Sequence, residues 1–371
     1  MTREALYDVA LAMAFKYTPA TALALWRAAG SGVDVWENRH DIAAIVPGAR
    51  GDVPAAVGKL DSLLPAAEKE LLYAEEKGIK CLTMADSDYP ARLKNCDDAP
   101  LVVFYLGNAD LNARHIVAVV GTRHCTEYGK SICASFTAGL AAAVPGTLVV
   151  SGLAYGIDIN AHRGALAAGL PTVAVLAHGL DRIYPAMHRA TAAKMVENGG
   201  LITEFPTGTN PDKQNFVRRN RIIAGLADAT VVVESADKGG SLITASIADS
   251  YGREVCAYPG RVSDQYSAGC NNFIRDNKAR LITSADDLAK ALGWETEKGR
   301  KAKPKEPELF PELNDEERKV YDALTGSDGK QINLLTVETN IPVGQLMSLL
   351  FGMEMRGIVK SLNGARYKLN L

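Results

Sequence analysis

Between residues 116 and 258, short and almost wholly apolar runs recur at intervals that leave room for a helix. They are "IVAVV" (116–120), "TLVV" (147–150), "TVAVLA" (172–177), "LIT" (201–203), "TVVV" (230–233) and "EVCAY" (254–258). A strand with one wet face alternates apolar and polar residues; these runs do not alternate, so both their faces must be covered. Such strands separated by helical stretches predict an α/β fold over residues 82–294, an extended Rossmann-like domain with a mostly parallel sheet. Residues 1–80 have a different texture, rich in Ala and Leu, with helical spacing in "ATALALWRAA" and breaks at "AGSG" and "VPGARGD". They predict a small helical domain. Residues 295–311, "ETEKGRKAKPKEPELFP", are charged and contain proline with little to bury, which reads as a linker. In residues 312–371 three helical patterns precede "IVKSLNGARYKL", where Asn363-Gly364 suits a type I′ hairpin turn. Helices followed by a hairpin predict a winged helix.

At 371 residues the chain exceeds what one compact core organises, in line with several domains. A net charge of −2 leaves a polyanionic partner open, because a local patch can matter when the total does not. The six cysteines, at 81, 96, 125, 133, 256 and 270, show no C-x-x-C spacing. They read as reduced thiols of a cytoplasmic protein rather than as a disulfide framework or a metal site. "MTREALYDVA" lacks the layout of a signal peptide, and the apolar stretch 136–154 is split at Pro145-Gly146 into pieces too short to span a bilayer. No membrane association and no cofactor are expected.

The chemistry gathers at the strand ends. "GTRHCTEYGKS" (121–131) ends like a P-loop, but His124 stands where the first glycine should be, so Gly-Lys-Ser falls inside the next helix and no ATP site forms. The dinucleotide pattern fails as well, since Arg123 takes the place of the second glycine. Gly121 and Arg123, at the end of "IVAVV" and beside a helix N-terminus, instead suit a phosphate. After "TLVV", the segment "SGLAYGIDINAH" offers Ser151, Gly152 and Gly156, whose backbone amides could meet a phosphate. After "TVVVE", "KGGSLITA" offers a second glycine turn with hydroxyls at Ser241 and Thr244. "KQNFVRRNR" (213–221) concentrates Lys213, Arg218, Arg219 and Arg221 around Phe216 with no acid among them. Cations along a groove with an aromatic platform are what single-stranded nucleic acid needs, the charges following the backbone and the ring stacking a base. Asp158 and His162, four apart, outline an acid–base pair, but a helix-capping Asp beside a locally bonded His fits the same spacing. Neither a nucleophile elbow nor a metal-ligand cluster accompanies them, so catalysis is not expected.

The order and density of these segments resemble the DNA-processing protein A (DprA, or Smf) family of bacterial natural transformation. The likeness runs through "DSDYPARLKNCDDAPLVVFYLGN", "VAVVGTR", "SGLAYGIDINAHRGAL", "GLDRIYP", "GGLITEFPTGT", "FVRRNRIIAGLADATVVVESADKGGSLITA" and "AYPGRVSDQYSAGCNNFI". The resemblance implies a Rossmann domain that binds single-stranded DNA, assembly into homodimers, and an interaction with the RecA recombinase, which is loaded onto the strand. It assigns DNA contacts to Arg123, Lys213 and Phe216, matches Arg219, Asn220 and Arg221 to an Arg-Asn-Arg segment, and matches Gly240, Ser241 and Leu242 to a Gly-Ser-Leu turn. Gly239 stands where a serine is common. The N-terminal region resembles the family's sterile-alpha-motif or helix-hairpin-helix-like domain, yet "FKYTPATAL" lacks the glycine-rich hairpin that would grip a phosphate. In the winged helix, "VGQLMSLLFGMEM" (343–355) carries no lysine or arginine, which suits it poorly to a major groove. Its Leu346, Leu349, Leu350 and Met353 are spaced as a core face, while Lys360, Arg366 and Lys368 on the hairpin could touch phosphates or a protein. Two other readings remain. A phosphoribohydrolase-like nucleotide enzyme would need Pro-Gly-Gly-x-Gly-Thr followed by a glutamate. "KGGSLITASIA" has no such proline and puts Ser246 or Ile247 in the glutamate's place. A pure protein scaffold would show no affinity for nucleic acid.

Overall fold

The structure is a computed structural model that describes residues 2–46, 49, 51–296, 313–327, 329–362 and 365–370. Most of the expected linker and the Asn363-Gly364 turn lie outside the described residues. By its contacts the chain divides into residues 1–297 and 298–371.

The first unit is built on a nine-stranded sheet: β1 (Lys80–Thr83), β2 (Val102–Gly107), β3 (Ile116–Val120), β4 (Leu148–Ser151), β5 (Thr172–Val175), β6 (Gly199–Thr203), β7 (Ala229–Val232), β8 (Glu254–Ala257) and β9 (Arg280–Leu281). Their order is β1-β2-β6-β5-β4-β3-β7-β8-β9. From β6 to β9 all neighbours run parallel, while β1 and β2 are attached antiparallel at the β6 edge. The unalternating strands are explained by β3. Its Ile116, Ala118 and Val120 join the hydrophobic cluster on one face, while Val117 and Val119 join the cluster on the other. Both faces are dry, and each buried Val or Ile is worth about 1.5–3 kcal/mol.

One of these clusters continues without interruption from the sheet into the N-terminal helices, taking in Val9, Leu11, Leu23, Leu60 and Leu71 together with Val102, Phe104 and Ile223. Those helices are Arg3–Ala14, Pro19–Ala29, Gly32–Glu37, Ile42–Ile45, Asp52–Val57 and Leu60–Glu76. Asp8 ties them together, its Oδ1 accepting from Trp26 Nε1 at 2.9 Å and from the Gly32 amide at 3.0 Å. Burial pushes the Asp8 carboxyl up to about 6, against the pull of those two bonds. A raised folded-state pKa contributes stability that is fully present below the unfolded pKa, near 4, and is lost as pH rises through about 6. Asp8→Asn, which keeps an acceptor oxygen there, is therefore expected to stabilise the protein by about 3 kcal/mol at pH 7 and by little at pH 4. Urea melts at the two pH values check this; an equal effect at both would contradict it.

The second unit holds helices Asp315–Leu324, Ile332–Thr339 and Val343–Met355 with a three-stranded antiparallel sheet of Lys330–Gln331, Arg366–Leu369 and Val359–Leu362. This is the expected winged-helix arrangement. Leu346, Leu350 and Met353 are buried in its own core and Leu349 packs partly buried against it. No single helix among the described residues is long and apolar enough to cross a membrane.

Candidate nucleic-acid interface

The strand order creates the site. From β3 the chain proceeds to β4 on one side, and from β7 to β8 on the other, so the loops leaving these two neighbours diverge. A crevice opens at such a switch point. Here it is a cleft of about 490 Å3, lined by Gly121, Thr122 and Arg123 after β3 and by Gly239, Gly240, Ser241 and Thr244 after β7. The third wall is the N-terminal half of helix Lys213–Leu226, through Lys213, Phe216, Val217 and Asn220. This helix belongs to the crossover from β6 to β7 and passes over β5, β4 and β3, which brings its first two turns to the strand ends.

Within the cleft the Arg123 guanidinium carbon lies 5.1 Å from the centre of the Phe216 ring. Arg123 and Lys213 are both exposed, and neither is ion-paired with a carboxylate among the described residues. Phe216 is half-buried and belongs to none of the hydrophobic cores. Exposed Val217 and Ile243 extend the apolar surface along the cleft. Gly240 opens the helix Gly240–Ser250, and a Cβ there would meet empty space, so this helix N-terminus faces the cleft unobstructed. Two exposed cations, an aromatic ring under one of them and a helix N-terminus can hold a phosphate chain and stack a base.

Several residues expected in the interface are turned elsewhere. Ser151 belongs to β4, fully buried, and its hydroxyl donates to the Val119 carbonyl at 2.6 Å. The Gly152 amide is already spent on Asp158 Oδ2, at 3.1 Å, so it is not available to a phosphate. Gly152 is glycine because the Arg219 guanidinium lies where a Cβ would be. Gly156, at φ +75°, packs against the backbone of Thr122 and Arg123 and supports the β3 turn rather than facing the cleft. Arg219 touches the cleft wall but is 3% exposed, and its guanidinium donates to the carbonyls of Gly152 and Val175. Burial lowers it to about 10, with Asp158 opposing the shift. Arg221 is turned to Glu204 and to the Asp98 carbonyl. Arg218 reaches the N-terminal helices instead, donating to the Lys16 carbonyl at 3.1 Å and lying 4.2 Å over the Tyr17 ring. Leu242 is core. Ser241 and Thr244 line the cleft but are buried, the Ser241 hydroxyl bonded to that of Ser235 at 2.9 Å.

The candidate acid–base pair does not form either. His162 Nδ1 meets Thr172 Oγ1 at 2.7 Å, burial lowers the imidazole to about 3, and Asp158 caps the amides of Gly152 and Ala154. Lys130 lies in helix Glu127–Ala143, exposed and 2.6 Å from Glu127, not in a phosphate loop.

Two residues beside the cleft went unnoticed in the sequence. Tyr184, 44% exposed, places its ring 5.9 Å from that of Phe216. Its "RIYP" context looks like an ordinary loop, and only the strand order brings it near. Glu234 sits beneath the Arg123 turn, its carboxylate bonded to Thr126. An acid ending an apolar strand was the available signal.

The chain is similar to proteins already known. The family model for DNA recombination-mediator protein A matches residues 80–293, which contain the whole cleft. The putative DNA processing protein DprA of Mycobacterium tuberculosis is 37% identical over 319 residues, covering 85% of this chain and 81% of that one. The crystal structure of DNA processing protein A from Streptococcus pneumoniae superimposes with a TM-score of 0.66 at 34% identity, over 77% of this chain and 97% of that chain. DNA processing protein A from Helicobacter pylori, whose structure is described for its single-stranded DNA binding mode, matches with a TM-score of 0.52 at 26% identity, over 58% and 95%. With this fold, and with that match spanning the cleft, the chain belongs to the DNA recombination-mediator protein A (DprA/Smf) family.

Proposed function

We propose that this protein binds single-stranded DNA across the β3–β7 cleft and, as a homodimer, delivers the strand to a RecA-type recombinase. The observation that carries the reading is the pairing of exposed Arg123 with the half-buried Phe216 ring at 5.1 Å, with Lys213 one turn before the ring on the same helix. Arg123 and Lys213 take successive phosphates and Phe216 stacks the base between them. Because every base has a stacking face, such a site has little sequence preference. The protein acts by binding and not by catalysis. The acid nearest the cleft, Asp158, is spent on backbone amides, and Glu204 is committed to Arg221.

Binding to oligo(dT) should weaken with salt, by about 0.7 log units per log unit of salt for each neutralised phosphate. Arg123→Ala and Lys213→Ala should each flatten that slope by about 0.7. Filter binding at two or more salt concentrations reads this directly; an affinity without salt dependence, or none for poly(dT), rules the reading out. The recombinase step is tested by the lag before RecA hydrolyses ATP on DNA-bound strand, which this protein should shorten. Light scattering of the eluted protein tests the dimer.

A further inference from the structure

Glu234 follows β7 and is 2% exposed, yet no cation is bonded to it among the described residues. Among the described residues, the hydrogen bonds it accepts come from the segment that joins β3 to helix Glu127–Ala143. Its backbone carbonyl accepts from the Thr122 amide at 2.7 Å. Its carboxylate accepts from the Thr126 amide at 2.9 Å and the Thr126 hydroxyl at 2.6 Å. Thr126 is the N-cap of that 17-residue helix, its hydroxyl oxygen accepting in turn from the Gly129 amide at 3.4 Å. Gly129 lies so close that an added Cβ would overlap the Glu234 carboxylate. An anion therefore occupies the first turn of the helix after the first parallel strand, stabilised by the amide and dipole of the helix start. Nucleotide-binding Rossmann domains seat a phosphate at that place. Here the anion is the protein's own.

The same residue grips both ends of the turn that carries Arg123, at Thr122 through its backbone and at Thr126 through its side chain. From the other side the Ile157 amide donates to the Thr122 carbonyl at 3.1 Å. We propose that Glu234 is a positioning residue that also sets what the cleft accepts. Its carboxylate fills the helix-terminal phosphate seat, which bars a nucleotide phosphate, and its two-ended clasp holds Arg123 over Phe216. The effect on DNA rests on the single-strand reading above; the clasp and the filled seat do not.

The test is Glu234→Gln, which removes the charge and presents an amide to two donors. Hydrogen exchange at residues 122–126 should quicken, whatever the protein binds; unchanged protection overturns the clasp. Inorganic phosphate should raise the melting temperature of Glu234→Ala, which empties the seat, more than that of the wild type; an equal or absent rise overturns the filled seat. Oligo(dT) affinity should fall about tenfold and the salt slope by about 0.7, as for the loss of one phosphate contact. Adding Arg123→Ala to the variant should then cost little more, whereas Phe216→Ala should cost its full amount. Additive losses for Glu234 and Arg123 overturn the positioning role. If Glu234→Gln does not fold, Thr126→Val, which removes one of the carboxylate's donors, takes its place in the exchange and affinity measurements. A wild type that ignores oligo(dT) refutes the single-strand reading, and exchange and phosphate binding still decide the role of Glu234.

Discussion

Phe216→Ala is expected to weaken binding to oligo(dT) by about 1–3 kcal/mol, roughly five- to 150-fold, while the fold persists. The fold persists because the ring is half-buried and contributes to no hydrophobic core. The affinity falls because truncation removes the face on which a base lies. It also takes away the ring under Arg123, so the guanidinium loses its orientation as well as its neighbour. The salt dependence separates these effects. A ring neutralises no phosphate, so the slope of Phe216→Ala should stay close to wild type, whereas Arg123→Ala flattens it. Phe216→Tyr or Phe216→Trp should retain most of the affinity, and Phe216→Leu, which keeps apolar volume without a π face, should not. Oligo(dA) and oligo(dC) should suffer similar losses, since stacking does not read base identity. Fluorescence anisotropy on short labelled strands measures all of these. A folded alanine variant with wild-type affinity would remove stacking from the mechanism.

The fold was legible because its strands are buried on both faces. Residues such as Val117 and Ala118 face opposite clusters, so nothing polar interrupts the run and the sequence announces a covered parallel sheet. β1 and β2 were harder to read, since "KCLT" and "VVFYLG" are antiparallel additions at the sheet's edge, joined to each other through only the four-residue helix Ala91–Lys94. Within the candidate site, position along the chain and residue type found Arg123, Lys213 and Phe216, which are exposed or half-exposed at the strand ends. They did not distinguish them from Arg218, Arg219 and Arg221. On a helix, residues 213, 216, 217 and 220 share one face, and that face lines the cleft. Residues 219 and 221 turn toward the sheet and its edge, and 218 toward the N-terminal helices. A run of cations reads as one patch in sequence and is three environments on a helix. The strand order, which no local pattern encodes, decides which of the three is the cleft.

Arg221→Ala is accordingly expected to cost about 3–5 kcal/mol of stability, a loss of fold and not of a DNA contact. Arg221 is 6% exposed, its guanidinium on Glu204 and on the Asp98 carbonyl, with Asp98 also bonded to the Tyr251 hydroxyl. Burial already pushes the Glu204 carboxyl up, and Arg221 is the main influence holding it down. Without Arg221 the carboxylate would be stranded out of water, and it would take up a proton instead. The sign follows. In the variant the folded-state pKa of Glu204 rises further, so its stability should recover as pH falls and worsen as pH rises through that value, opposite to a surface ion pair. Adding Glu204→Gln removes the stranded charge and should restore much of the loss, because replacing both partners of a buried pair costs less than removing one. Urea denaturation of the two single variants and the double variant completes the cycle. Where Arg221→Ala is still folded, its oligo(dT) affinity and salt slope should match wild type, since this side chain points away from the cleft. A loss of stability below about 1 kcal/mol, the range of an exposed pair, would refute the buried assignment.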